Sequence, residues 1–132
     1  MTREIWEFMS DGKHRVIRKW LKEETISSKD QARLDLTLDR LRTLDFALIS
    51  HKLMAGPLRG SKVYKLRLRC ENKELRPMLC RGPGQVGPPT DYTLLLGARE
   101  AGDRLYPADA PAQADKNRIT LIANRTWRER YS

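Results

Sequence analysis

The sequence has no long hydrophobic run and very few cysteines. No apolar stretch approaches the roughly 20 residues that a transmembrane helix needs, and the opening residues, MTREIWEFMSDG, contain no hydrophobic block of a signal peptide. These absences predict an intracellular, cytoplasmic protein without a membrane segment. The two cysteines, Cys70 and Cys80, form no CxxC pattern, and we expect reduced thiols in that compartment.

Metal-binding residue types are also scarce. The only histidines, His14 and His51, lie far apart in the sequence, and neither has cysteines or carboxylates around it at a ligand spacing. The sequence therefore predicts no metal site and no small-molecule cofactor.

Positive charge is what the chain has in excess. It carries 26 lysines and arginines against 17 acidic residues, a net charge of +9 over 132 residues. Residues 1–60 hold +3 of this and residues 61–132 hold +6. A basic surplus favours a polyanionic partner, because each neutralised phosphate releases condensed counterions. The length is that of a single domain, residues 1–132, large enough to bury an ordinary core.

The first third of the chain predicts a strand followed by two helices. Residues 3–9, REIWEFM, alternate between apolar and polar side chains, which predicts a strand ending at the turn Asp11-Gly12. The apolar stripe of the first helix is Val16, Ile17, Trp20 and Leu21. The second helix is predicted to begin at a capping box, Ser28 with Gln31. Its apolar stripe is Leu34, Leu38, Leu41 and Leu44, and Leu36 is either an odd apolar residue or part of a wider stripe.

A basic strand pair follows at residues 60–77, GSKVYKLRLRCENKELRP. Alternation predicts that one face of its first strand packs on the helices, with Tyr64, Leu66, Leu68 and Cys70 on it. The other face carries Lys65, Arg67 and Arg69 in a row. We expect these cations to converge with Arg76 of the returning strand into one anion pocket. Pro77 predicts an edge or a bulge in that returning strand.

The last third predicts one more strand and a helix. RGPGQVGPPTD is a long proline- and glycine-rich connection, and YTLLLGA is an apolar run typical of a central strand. A helix is predicted over residues 111–122. The resulting order is β–α–α–β–β–β–α, an α+β fold with a helical hairpin packed on one face of a small antiparallel sheet.

Two segments, KLMAGPLRGSKVYKLRLR and LLLGAREAGDRLYP, together with this element order, resemble the RelE/HigB toxin superfamily, most closely its phage-derived HigB-like branch. The resemblance implies a RelE-like fold and the toxin of a type II toxin–antitoxin pair. It implies an endoribonuclease that cuts messenger RNA on the ribosome through the 2′-hydroxyl, without a metal. The implied partners are messenger RNA, the ribosome and a cognate helix-turn-helix antitoxin.

The resemblance also implies site residues. The implied catalytic residues are Lys65, Arg67, Arg76 and Tyr106, and the implied RNA-binding residues are Lys62, Arg69, Arg99 and Arg104. Tyr131 and His51 are alternatives to Tyr106 for completing the site. The chain departs from the branch at Arg99-Glu100, where a lysine pair is usual.

The chemistry predicted for this set is phosphate stabilisation by fixed cations. Lys65 or Tyr106 would take the proton from the 2′-hydroxyl, while Arg67 and Arg76 hold the phosphate. Two other functions fit the sequence: a nucleic-acid-binding module without activity on the same fold, and a phage accessory protein that binds a host protein.

Overall fold

The chain forms one β-sheet with helices on both faces, in a computed structural model that describes residues 3–58, 60–71, 73–83 and 91–131. The elements are β1 (Glu4–Ser10), β2 (His14–Arg15), α1 (Val16–Glu23), α2 (Ser28–Thr43), a short 3-10 helix (Phe46–Leu48), β3 (Met54–Ala55), β4 (Tyr64–Leu66), β5 (Leu68–Arg69), β6 (Glu74–Arg81), β7 (Asp91–Ala101), β8 (Arg104–Tyr106), α3 (Ala110–Ala123) and β9 (Arg128–Arg130). The predicted β–α–α–β–β–β–α order and the α+β class are confirmed, with short extra strands inserted. Most of the predicted proline–glycine connection, residues 84–90, lies outside the described residues.

The sheet is mixed, with the order β2-β1-β7-β6-β4-β3. The short strands β5, β8 and β9 add to β6, β7 and β1 respectively. The prediction of a purely antiparallel sheet is wrong, because β1 runs parallel to β7 while the other pairs are antiparallel. Two helices and the strands β4 and β6 separate β1 from β7 in the sequence. Strand β7 then lies beside β1 and runs in the same direction.

Two apolar clusters hold the helices on the sheet. The first joins α1 and α2 to one face, which we call the hairpin face, through Ile17, Leu21, Leu34, Leu38 and Leu41 packed with Ile5, Leu66, Leu68, Leu75 and Leu79. The second joins α3 to the opposite face, the α3 face, through Ala110, Ala114 and Leu121 packed with Phe8, Met78, Cys80 and Leu95. The predicted packing of the helical hairpin on one face is confirmed, as is the apolar face of the basic strand.

Strand β7 lies between β1 and β6 and is buried over most of its length, as its apolar run predicts. At Gly97 a β-carbon would overlap the indole ring of Trp20. The glycine therefore lets the Trp20 ring lie directly on the strand backbone, and this contact positions α1 on the sheet.

The helix and turn signals are confirmed with one shift. Helix α2 is capped by Ser27, whose hydroxyl accepts a 3.1 Å hydrogen bond from the Asp30 N–H, one residue before the predicted cap. The turn after β1 has Asp11 at φ 55° and Gly12 at φ 69°. Among the described helices, none is long and apolar enough to cross a lipid bilayer.

Pro77 lies inside the sheet, since β6 pairs with β4 on one side and with β7 on the other. A bulge follows Pro77 between Met78 and Leu79. Of the two predicted alternatives, an edge or a bulge, the structure therefore has the bulge. Proline has no N–H to donate, and the neighbouring basic strand is broken at Arg67, one residue beyond the position opposite Pro77.

Candidate functional site

Two cations of the predicted site meet at a carboxylate on the α3 face. Lys65 of β4 donates from Nζ to Glu100 Oε1 at 3.3 Å, and Arg76 of β6 donates from Nη2 to Glu100 Oε2 at 3.1 Å. Arg76 Nη2 also lies 3.0 Å from Glu74 Oε2. These four side chains come from three adjacent strands, so the sheet holds them rigidly. We call them the charge cluster: Lys65, Glu74, Arg76 and Glu100.

Arg76 is the most buried member of the charge cluster, with a side chain only 6% exposed. Besides its two carboxylate partners, its Nη1 donates to the Leu75 main-chain oxygen at 3.1 Å. Its Nε is buried without a hydrogen-bond partner in the described part of the chain. A guanidinium so enclosed cannot receive a phosphate directly, so the predicted role of Arg76 as a phosphate clamp is wrong. Its contacts make it the residue that positions Glu100.

Glu100 is the member that sequence reasoning missed. Partial burial raises the pKa of its carboxyl group, but the hydrogen bond from Lys65 and the charge of Arg76 outweigh burial, and the net shift is downward. The side chain keeps 20% of its surface exposed. Glu100 is therefore an ionised and reachable carboxylate. The only sequence signal was its place beside Arg99, where the resembling branch usually has a lysine pair.

Arg67 and Arg69 do not join the charge cluster through any contact, although they stand on the same basic strand as Lys65. Both β4 and β5 pair with β6 in one continuous register, so Arg67 falls opposite Arg76. Across the described residues, no carboxylate lies within 4.0 Å of the Arg67 or Arg69 guanidinium. The expected pocket made of cations alone is not found: Lys65 is paired with Glu100, and Arg69 lies opposite Glu74 across the strand pair.

The two arginines line a groove between α2 and the end of the basic strand. Its volume is about 740 Å³. We call it the leucine–arginine groove; it is lined by the cationic residues Arg33, Arg40, Lys52, Arg67 and Arg69, the leucines Leu36, Leu44, Leu48, Leu53 and Leu68, and Thr37, Thr43 and Ser50. Arg33 is fixed there by a 3.0 Å hydrogen bond from its Nη1 to the Arg69 main-chain oxygen.

Arg99 and Tyr106 lie apart from the charge cluster. They pair across β7 and β8, and Arg99 also pairs with Leu75, which packs on the hairpin face. Successive side chains of a strand point to opposite faces, so Arg99 and Tyr106 face away from the Glu100 carboxylate. The Arg99 guanidinium lies 5.8 Å from the Tyr106 ring centroid, and both line a cavity of about 470 Å³. Glu100 and Lys73 also line this cavity. Among the described residues no hydrogen bond or ion pair joins Tyr106 to Lys65, so a site shared by the two stays a prediction.

The remaining candidates are scattered. Arg104 is exposed on β8, Lys62 is exposed in the bend before β4, and His51 is exposed in a turn. Tyr131 is buried and its hydroxyl accepts a 3.0 Å hydrogen bond from Gln31 Nε2. Burial raises the pKa of Tyr131 more than this bond lowers it, so Tyr131 is a packing residue rather than an alternative catalytic tyrosine.

One further carboxylate, Glu7, is fully buried under α1. Its nearest cationic atom is Arg18 Nη2 at 3.8 Å from Oε2. Burial raises the pKa of Glu7, and the charges of Arg15 and Arg18 offset only part of this effect. Its ionised form therefore costs stability at neutral pH.

The described residues contain no cluster of three or more histidine, cysteine or acidic side chains that could hold a metal ion. Comparison with family models, curated proteins and solved structures found no match for the chain.

Proposed function

We propose that this protein is a RelE/HigB-like toxin, an endoribonuclease that cuts messenger RNA on the ribosome and is controlled by a helix-turn-helix antitoxin. The observation that carries the proposal is the Glu100 carboxylate, held between Lys65 and Arg76 at 3.3 and 3.1 Å. Cleavage through a 2′-hydroxyl requires a proton acceptor, a proton donor and a cation for the phosphate. Glu100 and Lys65 supply the first two on rigid strands, and the strand register places Arg67 opposite Arg76 of the same charge cluster. The element order and the net charge of +9 also support the proposal.

In this proposal Glu100 replaces Lys65 as the general base. Lys65 already donates its hydrogen bond to Glu100 Oε1, so it acts as the proton donor of the pair. Glu100 is ionised at neutral pH, because the pKa of its carboxyl group is lowered. A phosphate that binds Lys65 competes with Glu100 for the ammonium group. The weakened ion pair then increases the affinity of Glu100 for a proton.

Cleavage proceeds by one bond formed and one bond broken at phosphorus. Glu100 takes the proton of the 2′-hydroxyl as O2′ bonds to phosphorus, and Arg67 stabilises the additional negative charge. The bond from phosphorus to O5′ then breaks as Lys65 donates a proton to O5′. The products are a 2′,3′-cyclic phosphate and a 5′-hydroxyl. Proton transfer from Glu100 back to Lys65, across their hydrogen bond, restores the starting state.

The test is cleavage of messenger RNA on programmed ribosomes, together with growth arrest on induced expression. Glu100→Gln keeps the size of the side chain but removes the base, and we expect the cleavage rate to fall by about 10²–10⁴-fold. We expect Lys65→Gln to lower the rate as well, because it removes the proton donor. Lys116→Gln, an exposed change on α3, is the matched control and should cleave normally.

Tyr106→Phe separates this mechanism from the one that the resemblance implies. Because Tyr106 faces away from Glu100, we expect this variant to cleave at the wild-type rate. Loss of cleavage in Tyr106→Phe, with normal cleavage in Glu100→Gln, would assign the general base to Tyr106 instead of Glu100. A folded wild-type protein that leaves messenger RNA intact on programmed ribosomes would contradict the function itself.

A nucleic-acid-binding module without activity is the second candidate. The specific observation in its favour is that two carboxylates, Glu100 and Glu74, pair with the two cations Lys65 and Arg76, which leaves fewer free cations for a reacting phosphate. This candidate predicts RNA binding that weakens steeply with salt, without cleavage on or off the ribosome.

A further inference from the structure

The leucine–arginine groove combines two features that RNA binding does not explain together. Its rim carries five cationic residues, and its lining contains no carboxylate in the part of the chain that the structure describes. Its lining also includes two of the most exposed large apolar residues described, Leu36 at 57% and Leu48 at 72% exposure. We propose that this groove binds an acidic amphipathic segment of a partner protein, with leucine-type side chains against the groove leucines and carboxylates against the rim.

The exposed leucines determine the class of partner. Leu36 interrupts the polar surface of α2, outside the buried stripe of Leu34, Leu38 and Leu41. A phosphate backbone gains nothing from aliphatic side chains, and single-stranded nucleic acid usually stacks its bases on aromatic rings. The residues that line the groove include no aromatic ring. An apolar peptide face, in contrast, would remove Leu36 and Leu48 from water.

The cations determine the charge of the partner. Arg40 and Lys52 have no carboxylate within 4.0 Å among the described residues, so both are open to an acidic partner. A second copy of this chain would also carry a net charge of +9 and would be repelled at moderate ionic strength. Carboxylates of an acidic segment would instead form charge-assisted hydrogen bonds with the rim.

This inference goes beyond the proposed function, because it concerns binding and does not require cleavage. Fluorescence anisotropy can test it with three labelled probes. The first is a synthetic peptide of 18 residues with leucines at i, i+3, i+4 and i+7 and glutamates on its other face. The second has the same composition with the leucines scattered. The third is a single-stranded uridine oligonucleotide of equal charge.

The variants separate the apolar and charged parts of the groove. Leu36→Ser/Leu48→Ser removes the exposed leucines, with Ile119→Ser on α3 as control, since Ile119 is 56% exposed. Arg40→Glu/Lys52→Glu reverses two rim charges, with Lys116→Glu/Arg125→Glu as the control of equal charge change at exposed positions. Circular dichroism and thermal unfolding confirm that each variant is folded before binding is compared.

We expect the amphipathic peptide to bind at least about tenfold tighter than the scattered peptide. Each groove variant should weaken that binding about tenfold, against about twofold or less for its control. Leu36→Ser/Leu48→Ser should leave oligonucleotide binding unchanged. The inference is overturned if both peptides bind alike, or if the leucine variant binds the amphipathic peptide as tightly as the wild type. The inference is also overturned if the oligonucleotide binds tighter than the amphipathic peptide, and if Arg40→Glu/Lys52→Glu weakens oligonucleotide binding while the leucine variant does not.

Discussion

Removing Glu100 should destabilise the protein through the buried Arg76 rather than through the loss of an exposed acid. Arg76 is 6% exposed and has two carboxylate partners, Glu100 and Glu74. Removing one partner of a buried ion pair costs about 3–5 kcal/mol when the other charge is left alone. Because Glu74 remains, we expect Glu100→Ala to lower the free energy of unfolding by less than that range, about 2–3 kcal/mol. That loss corresponds to roughly 10 °C in Tm for a domain of this size.

A double-mutant cycle measures how much of this loss passes through Arg76. The variants are Glu100→Ala, Arg76→Ala and the double variant, each unfolded by urea at pH 7 and followed by circular dichroism. Because the two side chains are in direct contact, the double variant should lose less than the sum of the single losses, by about 1.5–3 kcal/mol. Lys116→Ala, an exposed change away from the charge cluster, is the control and should lie within about 0.5 kcal/mol of the wild type.

The pH dependence gives the sign of the Glu100 contribution independently. A carboxyl group whose pKa is lowered on folding stabilises the folded state above its ordinary pKa, here 4.5, and loses that contribution as the pH falls through the lowered value. The difference in free energy of unfolding between the wild type and Glu100→Gln should therefore be constant from pH 7 to about pH 5. It should become smaller below pH 4.5. Additive losses in the cycle, or a Glu100→Ala loss below about 0.5 kcal/mol, would refute the coupling to Arg76.

Three further predictions test other parts of the structure. Because burial raises the pKa of Glu7, Glu7→Gln should stabilise the protein at pH 7 by about 1–2 kcal/mol, and this gain should vanish as the pH falls to 4.5. Urea unfolding at both pH values measures the gain, and an equal gain at both would contradict the prediction. Gly97→Ala should cost about 1–3 kcal/mol and shift the fluorescence of Trp20, because the added methyl group overlaps its indole ring. Ser27→Ala should cost about 1 kcal/mol in thermal unfolding, whereas Ser28→Ala should cost little, and the reverse order would place the cap at Ser28.

Local patterns of the sequence were sufficient for most elements of the fold. The stripe that predicts α1 and the alternation of the basic strand depend only on neighbouring side chains, and both are confirmed. The parallel pairing of β1 with β7 depends on where a chain segment returns after two helices and two strands. No local pattern carries that information, and the antiparallel prediction therefore failed at this pair.

The site could be predicted only in part, because charge in a sequence does not specify its partner. Lys65 and Arg76 are correctly placed close together by the strand pair. The carboxylate that pairs with both is Glu100 of β7. In the sequence, Glu100 is part of the Arg99-Glu100 pair that departs from the lysine pair of the resembling branch. Tyr106 shows how alternation limits such a prediction: it pairs with Arg99 across β7 and β8, so its side chain leaves the sheet on the face opposite the Glu100 side chain.

By itself, the sequence determined the residue types, the helix and strand periods and the excess of positive charge, since these follow from composition and from the spacing of neighbouring residues. Only the tertiary structure decided which cations meet a carboxylate and which do not. The physical reason is that Coulomb and hydrogen-bond energies depend on distances of a few ångströms between side chains that are 24 and 35 residues apart in the chain.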